Sequence, residues 1–384
     1  MTEGTPLVVM YAQNGAGLGH FRRCAIVAAA LAARGGGERV IIACRSLTVA
    51  AAIPLPEGCD VLKLPSFAPL GDDAAGERRV LVDREDAAFP RLRGGLLAAL
   101  LCEARPRAVL VDNEPRGLQG ELVDALRAAR AAGAVGRVVC GLRDIRGRPD
   151  YVRAKWRRDG TADALRELYD GVLVYGDRAL FDTAAEYGLG AEIAVDVAES
   201  GYLFRDRPER GREAVRESLG VAPDAPLVAV TAGSGADGRA LLAAYLDEAH
   251  ALPPEAVSVL VAGPLMPPAE LDPLAAAAPS ACRVVRSTDT VSLVHAADAV
   301  VCRAGYNSLC EAVHAGHVPA VVPRATRSGE QETRAAVFAA HGLASVVGGG
   351  GLAPAVIAQL ERGARRSPFR PAESAARATA ALVG

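Results

Sequence analysis

Three groups of residues in this sequence have types and spacings that can do chemistry. The first is His20, directly after Gln13-Asn14-Gly15-Ala16-Gly17-Leu18-Gly19. An imidazole titrates near neutral pH, so at this position it can take a proton from a hydroxyl. A ring that only packs against a helix start would occupy the same place. Arg22 and Arg23 follow, one for solvent and one as a clamp on a bound anion. The second group is Gly305-Tyr306-Asn307-Ser308, with Glu311 three residues after Ser308. A glycine turn that opens a helix offers amides without helical partners and about half a positive charge. That suits a diphosphate, and Asn307 and Ser308 can add side-chain donors. Glu311 lies one turn further along nearly the same face, too far in to cap the helix. There it can accept two hydrogen bonds from a ribose diol, although a solvated helix glutamate would share the spacing. The third group ends two apolar runs of the first half: Asp112 and Glu114 after Ala108 to Val111, and Arg143-Asp144 after Val138 to Leu142. Polar residues at the carboxyl ends of parallel strands are where α/β proteins bind ligands.

The elements that must hold these residues follow from apolar runs bounded by glycine. Leu7 to Tyr11 is an apolar strand, the glycine-rich turn comes next, then a helix carrying Phe21, Cys24, Ile26, Val27 and Leu31, then a strand at Val40 to Ala43. This is a βαβ opening. A second such opening starts at Leu227 to Thr231 and runs into Gly233-Ser234-Gly235. Two glycine turns in two halves predict two Rossmann-like domains. Between them, Glu199 to Arg212 is polar and holds Gly201, Pro208 and Gly211, as a linker does. In the third βαβ unit, Ala299 to Cys302 and Val318 to Val322 are the strands. Gly316 ends the intervening helix in a left-handed conformation, and another helix starts near Glu330. Residues 65–85 read as a long loop, and Asp289 as the N-cap of a helix to Ala296.

The composition excludes several classes. With 384 residues the chain can bury two full cores, and a net charge of −2 gives no reason to expect nucleic acid. The eight cysteines are scattered without a CxxC pair, which suits reduced thiols and a cytoplasmic protein. There is no signal-like N-terminus and no run long and apolar enough to span a bilayer, so membrane association is at most peripheral. The basic stretch Tyr151 to Arg158, with the lone tryptophan, reads as a solvated helix face. The glycines at 15, 17 and 19 miss the G-x-G-x-x-G spacing of nicotinamide enzymes, and no acidic residue ends the second strand. A metal site at Glu311, His314 and His317 fails because Gly316 ends the helix before His317 and no further ligand appears.

The stretch from Ala297 to Arg334 resembles the nucleotide-sugar site of glycosyltransferase family 28. The residues carrying the likeness are Asp298, Gly305, Glu311, Gly316 with Pro319, Glu330-Gln331 and Arg334-Ala335. Ala304 departs from it where some members have serine, and Ala232 replaces the first glycine of a Gly-Gly-Ser motif. The resemblance implies the α/β GT-B fold, two doubly wound Rossmann-like domains facing across a cleft. Residues 1–205 would form the acceptor-side domain, 206–371 the nucleotide-sugar domain, and 372–384 a helix crossing back to the first. It places Gly17, Gly19, Gly233, Ser234, Gly235, Gly305, Tyr306, Asn307 and Ser308 on the donor diphosphate, Glu311 on the ribose, and Glu330 and Gln331 on the donor sugar. Thr288 would sit in the loop that holds the base. The Gly-x-Gly-His segment followed by arginine also recurs in this family, which implies that His20 is the catalytic base. Asp112-x-x-Pro-x-Gly, Leu142-Arg143-Asp144-Ile145 and Val174-Tyr175-Gly176-Asp177 resemble one branch of family 28-like sequences. That likeness brings no acceptor, so Asp112, Glu114, Arg143 and Asp144 are acceptor-side candidates by position. The implied activity is inverting, metal-independent transfer from a nucleoside diphosphate sugar, UDP-linked first, to a small-molecule or lipid-linked acceptor without a cofactor. A sugar-nucleotide hydrolase or a 2-epimerase is the alternative on the same fold.

Overall fold

The apolar runs become two all-parallel sheets in a computed structural model, which describes residues 5–13, 19–46, 50–51, 53–65, 88–235, 237–286, 289–348 and 350–384. The first sheet contains β1 (Leu7–Ala12), β2 (Arg39–Cys44), β3 (Cys59–Lys63), β4 (Ala108–Asp112), β5 (Arg137–Arg143), β6 (Gly171–Tyr175) and β7 (Val197–Glu199). The second contains β8 (Leu227–Thr231), β9 (Val257–Val261), β10 (Cys282–Val285), β11 (Ala299–Cys302), β12 (Ala320–Val321) and β13 (Ser345–Val346). The spatial orders are β3-β2-β1-β4-β5-β6-β7 and β10-β9-β8-β11-β12-β13. Counted from its own first strand, each sheet therefore winds 3-2-1-4-5-6, and the first adds a seventh strand at its edge. Winding reverses beside β1 in one sheet and beside β8 in the other. A crevice outside the strand carboxyl ends opens at such a reversal, where open α/β sheets bind ligands.

Central strands covered by helices on both faces must be apolar throughout. Every residue of β1, β4, β6, β8 and β11 is buried. One core gathers Val9, Val111, Leu126 and Leu165, and another gathers Val228, Leu260, Val301 and Val356. The chain divides into two compact units, Met1–Leu203 with Arg370–Gly384, and Phe204–Phe369. The last helix, Pro371–Val383, packs in the first unit against the helix Gly19–Ala33. Arg377 Nε reaches Ser200 O at 2.8 Å, and Arg107 donates to Val383 O at 2.7 Å.

Two elements differ from expectation. The strand expected over 318–322 pairs only at Ala320 and Val321, because Pro319 and Pro323 on either side have no N–H to give a ladder. The basic helix Pro149–Arg158 does not expose its tryptophan: Trp156 is buried edge-on to Tyr187, with ring centroids 5.6 Å apart. Glu192 takes Arg153 and Arg157 of the same helix. The loop expected over 65–85 falls, after Pro65, outside the described residues.

Candidate active site

In the first unit, the reversal of winding brings together two residues 92 positions apart. His20 lies in the first turn of the helix after β1, and Asp112 is the last residue of β4, the neighbour of β1. His20 Nδ1 is 2.6 Å from Asp112 Oδ2. Asn113 then takes the left-handed conformation at φ 69°, which asparagine tolerates, and turns the chain away immediately after the carboxylate. Its N–H is fastened to Gly141 O at 2.6 Å.

Asp112 is fully buried and also receives Arg23: Nε to Oδ1 at 2.9 Å and Nη2 to Oδ2 at 2.7 Å. Burial pushes this carboxyl up, but the Arg23 charge and the hydrogen bonds from His20 and Arg23 outweigh it, bringing the pKa to about 2. The carboxylate is thus ionised and can only accept, so Nδ1 of His20 carries the proton and Nε2 is the bare nitrogen. The His20 ring keeps 23% of its side-chain surface exposed. Its pKa falls below the ordinary value: burial is the main cause, Asp112 opposes it, and Arg23 and Arg143 reinforce it.

The structure redistributes the acceptor-side candidates. Arg143 lies near enough to act on the His20 charge. Asp112 stands behind His20 and, with no exposed surface, does not offer itself to an acceptor. Glu114 is held by Arg146 at 3.0 Å and keeps a third of its side chain exposed. Asp144 is a core residue instead: Tyr202 donates to its Oδ2 at 2.7 Å and the Ile145 amide to its Oδ1 at 2.6 Å. The motifs around it are packing motifs. A Cβ at Gly176 would stand 2.5 Å from Asp144 Cβ, and one at Gly141 would stand 1.8 Å from Tyr175 Oη. Of the two arginines after His20, Arg23 is not the one for a bound anion, since the anion it holds is Asp112. Gly19 opens the helix Gly19–Ala33, while Gly17 lies outside the described residues.

The second unit builds a site of its own at the matching reversal of its sheet. Gly233 follows β8, and a Cβ there would come within 3.9 Å of Ser308 Oγ in the helix after β11. That helix, Tyr306–His314, starts on Gly305 with no side-chain cap, and a Cβ on Gly305 would meet nothing within 4 Å. Asn307 Oδ1 and Thr231 Oγ1 are buried without a hydrogen-bond partner. The Gly233-Ser234-Gly235 turn is locked backbone to backbone on the turn after β9. Ser234 O accepts from Leu265 N at 2.9 Å, and a Cβ at Gly235, where φ is +91°, would lie 2.3 Å from Ala262 O. Gly235→Ala is therefore expected to cost about 1–3 kcal/mol in backbone strain alone. A lower unfolding midpoint would reveal this cost, and unchanged thermal unfolding would contradict it.

Glu311 is only 5% exposed, not solvated, and its Oε1 lies 3.7 Å from Arg205 Nε. Tyr306 is buried, with the Arg334 guanidinium 5.9 Å from its ring centroid, so only its backbone can address an anion. Arg334, fully buried, ties Glu330 to the glycine turn by reaching Glu330 Oε1 at 3.1 Å and Ala304 O at 3.0 Å. The sequence signal for that bridge was the i,i+4 spacing of Glu330 and Arg334. Gln331 Oε1 accepts from Arg324 N at 3.0 Å. Arg303, not singled out from sequence, donates to Val322 O and Asp237 O, each at 3.2 Å. Thr288 lies outside the described residues, but Asp289 does cap its helix, accepting from Ser292 N at 3.3 Å. Gly316 takes φ 98° just past the end of the helix Tyr306–His314. His314 pairs with Ser367, and His317 with the Val294 carbonyl. No group of three or more metal-ligating side chains is assembled among the described residues.

Residues 280–382 match the model of the glycosyltransferase family 28 C-terminal domain. A stretch of 131 residues is 39% identical to a UDP-N-acetylglucosamine–N-acetylmuramyl-(pentapeptide) pyrophosphoryl-undecaprenol N-acetylglucosamine transferase of Nocardioides sp., covering 34% of this chain and 35% of that protein. The match thus spans about a third of the relative's length. Two solved structures resemble the chain over nearly its whole length. MurG of Acinetobacter baumannii has a TM-score of 0.56 at 17% identity, with 98% of this chain and 95% of that one covered. The glycotransferase of kitacinnamycin has a TM-score of 0.61 at 19% identity, with 99% and 96% covered. The fold is GT-B, with the family 28 match beginning just before β10.

Proposed function

We infer that the protein is a glycosyltransferase that takes a sugar from a nucleoside diphosphate sugar, with UDP as the nucleotide to test first. It passes the sugar to a nucleophile, a hydroxyl in the simplest case, on a small-molecule or lipid-linked acceptor. The observation that carries this reading is the uncapped helix start at Gly305, beside the turn at Gly233, inside the family 28 domain. Its amides, with Asn307 and Ser308, suit the diphosphate as negative charge builds on the leaving group, the task a metal ion performs in other enzymes. Glu311 would take the ribose, Glu330 and Gln331 the donor sugar. In the first unit, Nε2 of His20 would accept the acceptor proton while Nδ1–H stays on Asp112, so the imidazolium forms against a fixed negative charge. Attack opposite the leaving diphosphate inverts the anomeric centre. The Nocardioides relative, named for a UDP-linked sugar, supports a UDP-linked donor. The reading places the protein in the cytoplasm, at a membrane only peripherally. Among the described residues no helix is long and apolar enough to cross one.

Incubation with a panel of sugar nucleotides, with and without cell extract, tests this reading. Nucleotide released only with extract supports transfer. Free sugar without extract indicates hydrolysis, and an isomeric sugar nucleotide indicates epimerisation; either one replaces the proposal. Glu311→Ala is expected to weaken UDP binding roughly 10- to 100-fold, the worth of hydrogen bonds to a charged acceptor at about 1.5–3 kcal/mol. An unchanged dissociation constant by calorimetry would remove Glu311 from the ribose.

A further inference from the structure

Arg23 is three residues after His20 on the same helix, and so on the same face. Only 2% of it is exposed. Its fork covers both oxygens of Asp112, and its Nη2, 3.3 Å from His20 Nδ1, shares Oδ2 with the ring. On its other side the guanidinium lies 5.6 Å from the centroid of the Tyr175 ring on β6. One buried carboxylate therefore serves two partners. A histidine backed by a carboxylate alone gains its full charge on protonation and becomes a stronger base that is more often already protonated. Here that charge is answered before the ring titrates.

We propose that Arg23 is a positioning residue for the base. Its fork holds Asp112 so that the carboxylate accepts only from Nδ1, and its charge keeps the resting imidazole neutral with Nε2 ready. This proposal rests on the reading of His20 as the base. Among the described residues, the charged groups acting on His20 are Asp112 from β4, Arg143 from β5 and Arg23 from its own helix. Arg143 and Arg23 oppose a second positive charge, and Asp112 favours it. The Tyr175 phenol beneath Arg23 stays neutral, since burial pushes its pKa far up. An arginine is required because a lysine ammonium is a point donor and cannot span both oxygens.

The test follows the His20 ring by nitrogen-15 NMR in histidine-labelled protein, with His20→Ala assigning the signal. In the wild type the ring should show the Nδ1–H tautomer and titrate below the ordinary histidine value. Arg23→Met should raise that titration point, and the acid limb of kcat/KM should move up with it, since the base must be unprotonated to act. The KM for donor should stay put. Arg23→Lys keeps the charge but loses the fork, so the titration point should stay low while kcat falls, because Asp112 is no longer held in line with Nδ1. If Arg23→Met does not fold, Arg23→Lys decides. A folded Arg23→Met with an unmoved titration point, or Arg23→Lys with wild-type kcat, overturns the proposal even where His20→Ala is inactive. Normal turnover in His20→Ala instead removes the base reading on which it rests.

Discussion

His20→Ala is expected to lower turnover about 10²- to 10⁴-fold, the usual worth of a positioned general base, while the dissociation constant for UDP stays at the wild-type value. The separation of effects is the point of the experiment. His20 belongs to the first unit, and the residues assigned to the donor diphosphate and ribose by the Gly305 turn belong to the second. The loss should therefore appear in kcat. The substitution also leaves Asp112 with Arg23 as its partner, so the buried carboxylate remains compensated and the fold should hold. Single-turnover rates with saturating donor, beside calorimetric UDP binding, distinguish the outcomes. Near-normal turnover would reduce His20 to a ring packed at a helix start. A parallel loss of UDP affinity would make it a donor-binding residue.

Asp112→Asn is expected to damage both stability and catalysis. The variant keeps the shape but removes the charge opposite Arg23, and a buried charge left without its partner costs about 3–5 kcal/mol. The asparagine amide can also donate to Nδ1, which moves the ring proton to Nε2 and disables the base; a wrong tautomer costs on the order of 10⁴ in rate. The pH dependence of stability gives an independent check. In the folded protein the Asp112 pKa is about 2, below its ordinary 3.8. A depressed carboxyl contributes stability that is present above 3.8 and is lost as the pH falls through about 2. Wild-type stability should therefore drop across that window by an increment that Asp112→Asn lacks. Equal slopes in acid denaturation for the two proteins would show that the Asp112 carboxylate does not support the fold.

The readings that survived contact with the structure are those set by neighbours along the chain. Gly316 ends its helix, Asp289 caps the one before it, and the Gly233 turn follows the first strand of the second sheet. In each case a few consecutive residues carry both the cause and the effect. Apolar runs such as Val228 to Val230 and Val300-Val301 specify buried parallel strands because only apolar side chains are tolerated on both faces. The short pairing of β12 was also present in the sequence: Pro323 stops the strand, as expected, but Pro319 shortens its start as well.

The sequence by itself thus determined two doubly wound sheets, the helix start at Gly305 and a histidine placed after a glycine turn. Tertiary structure alone decided what that histidine can do. Asp112 ends β4 and Asp144 directly follows β5, both in equally polar company, and nothing local separates them. The 3-2-1-4 winding lays β4 beside β1, so Asp112 meets His20 and Arg23, while Asp144 turns to Tyr202. Contacts made across 92 residues depend on which strands become neighbours, and strand order is settled by the packing of whole sheets and helices.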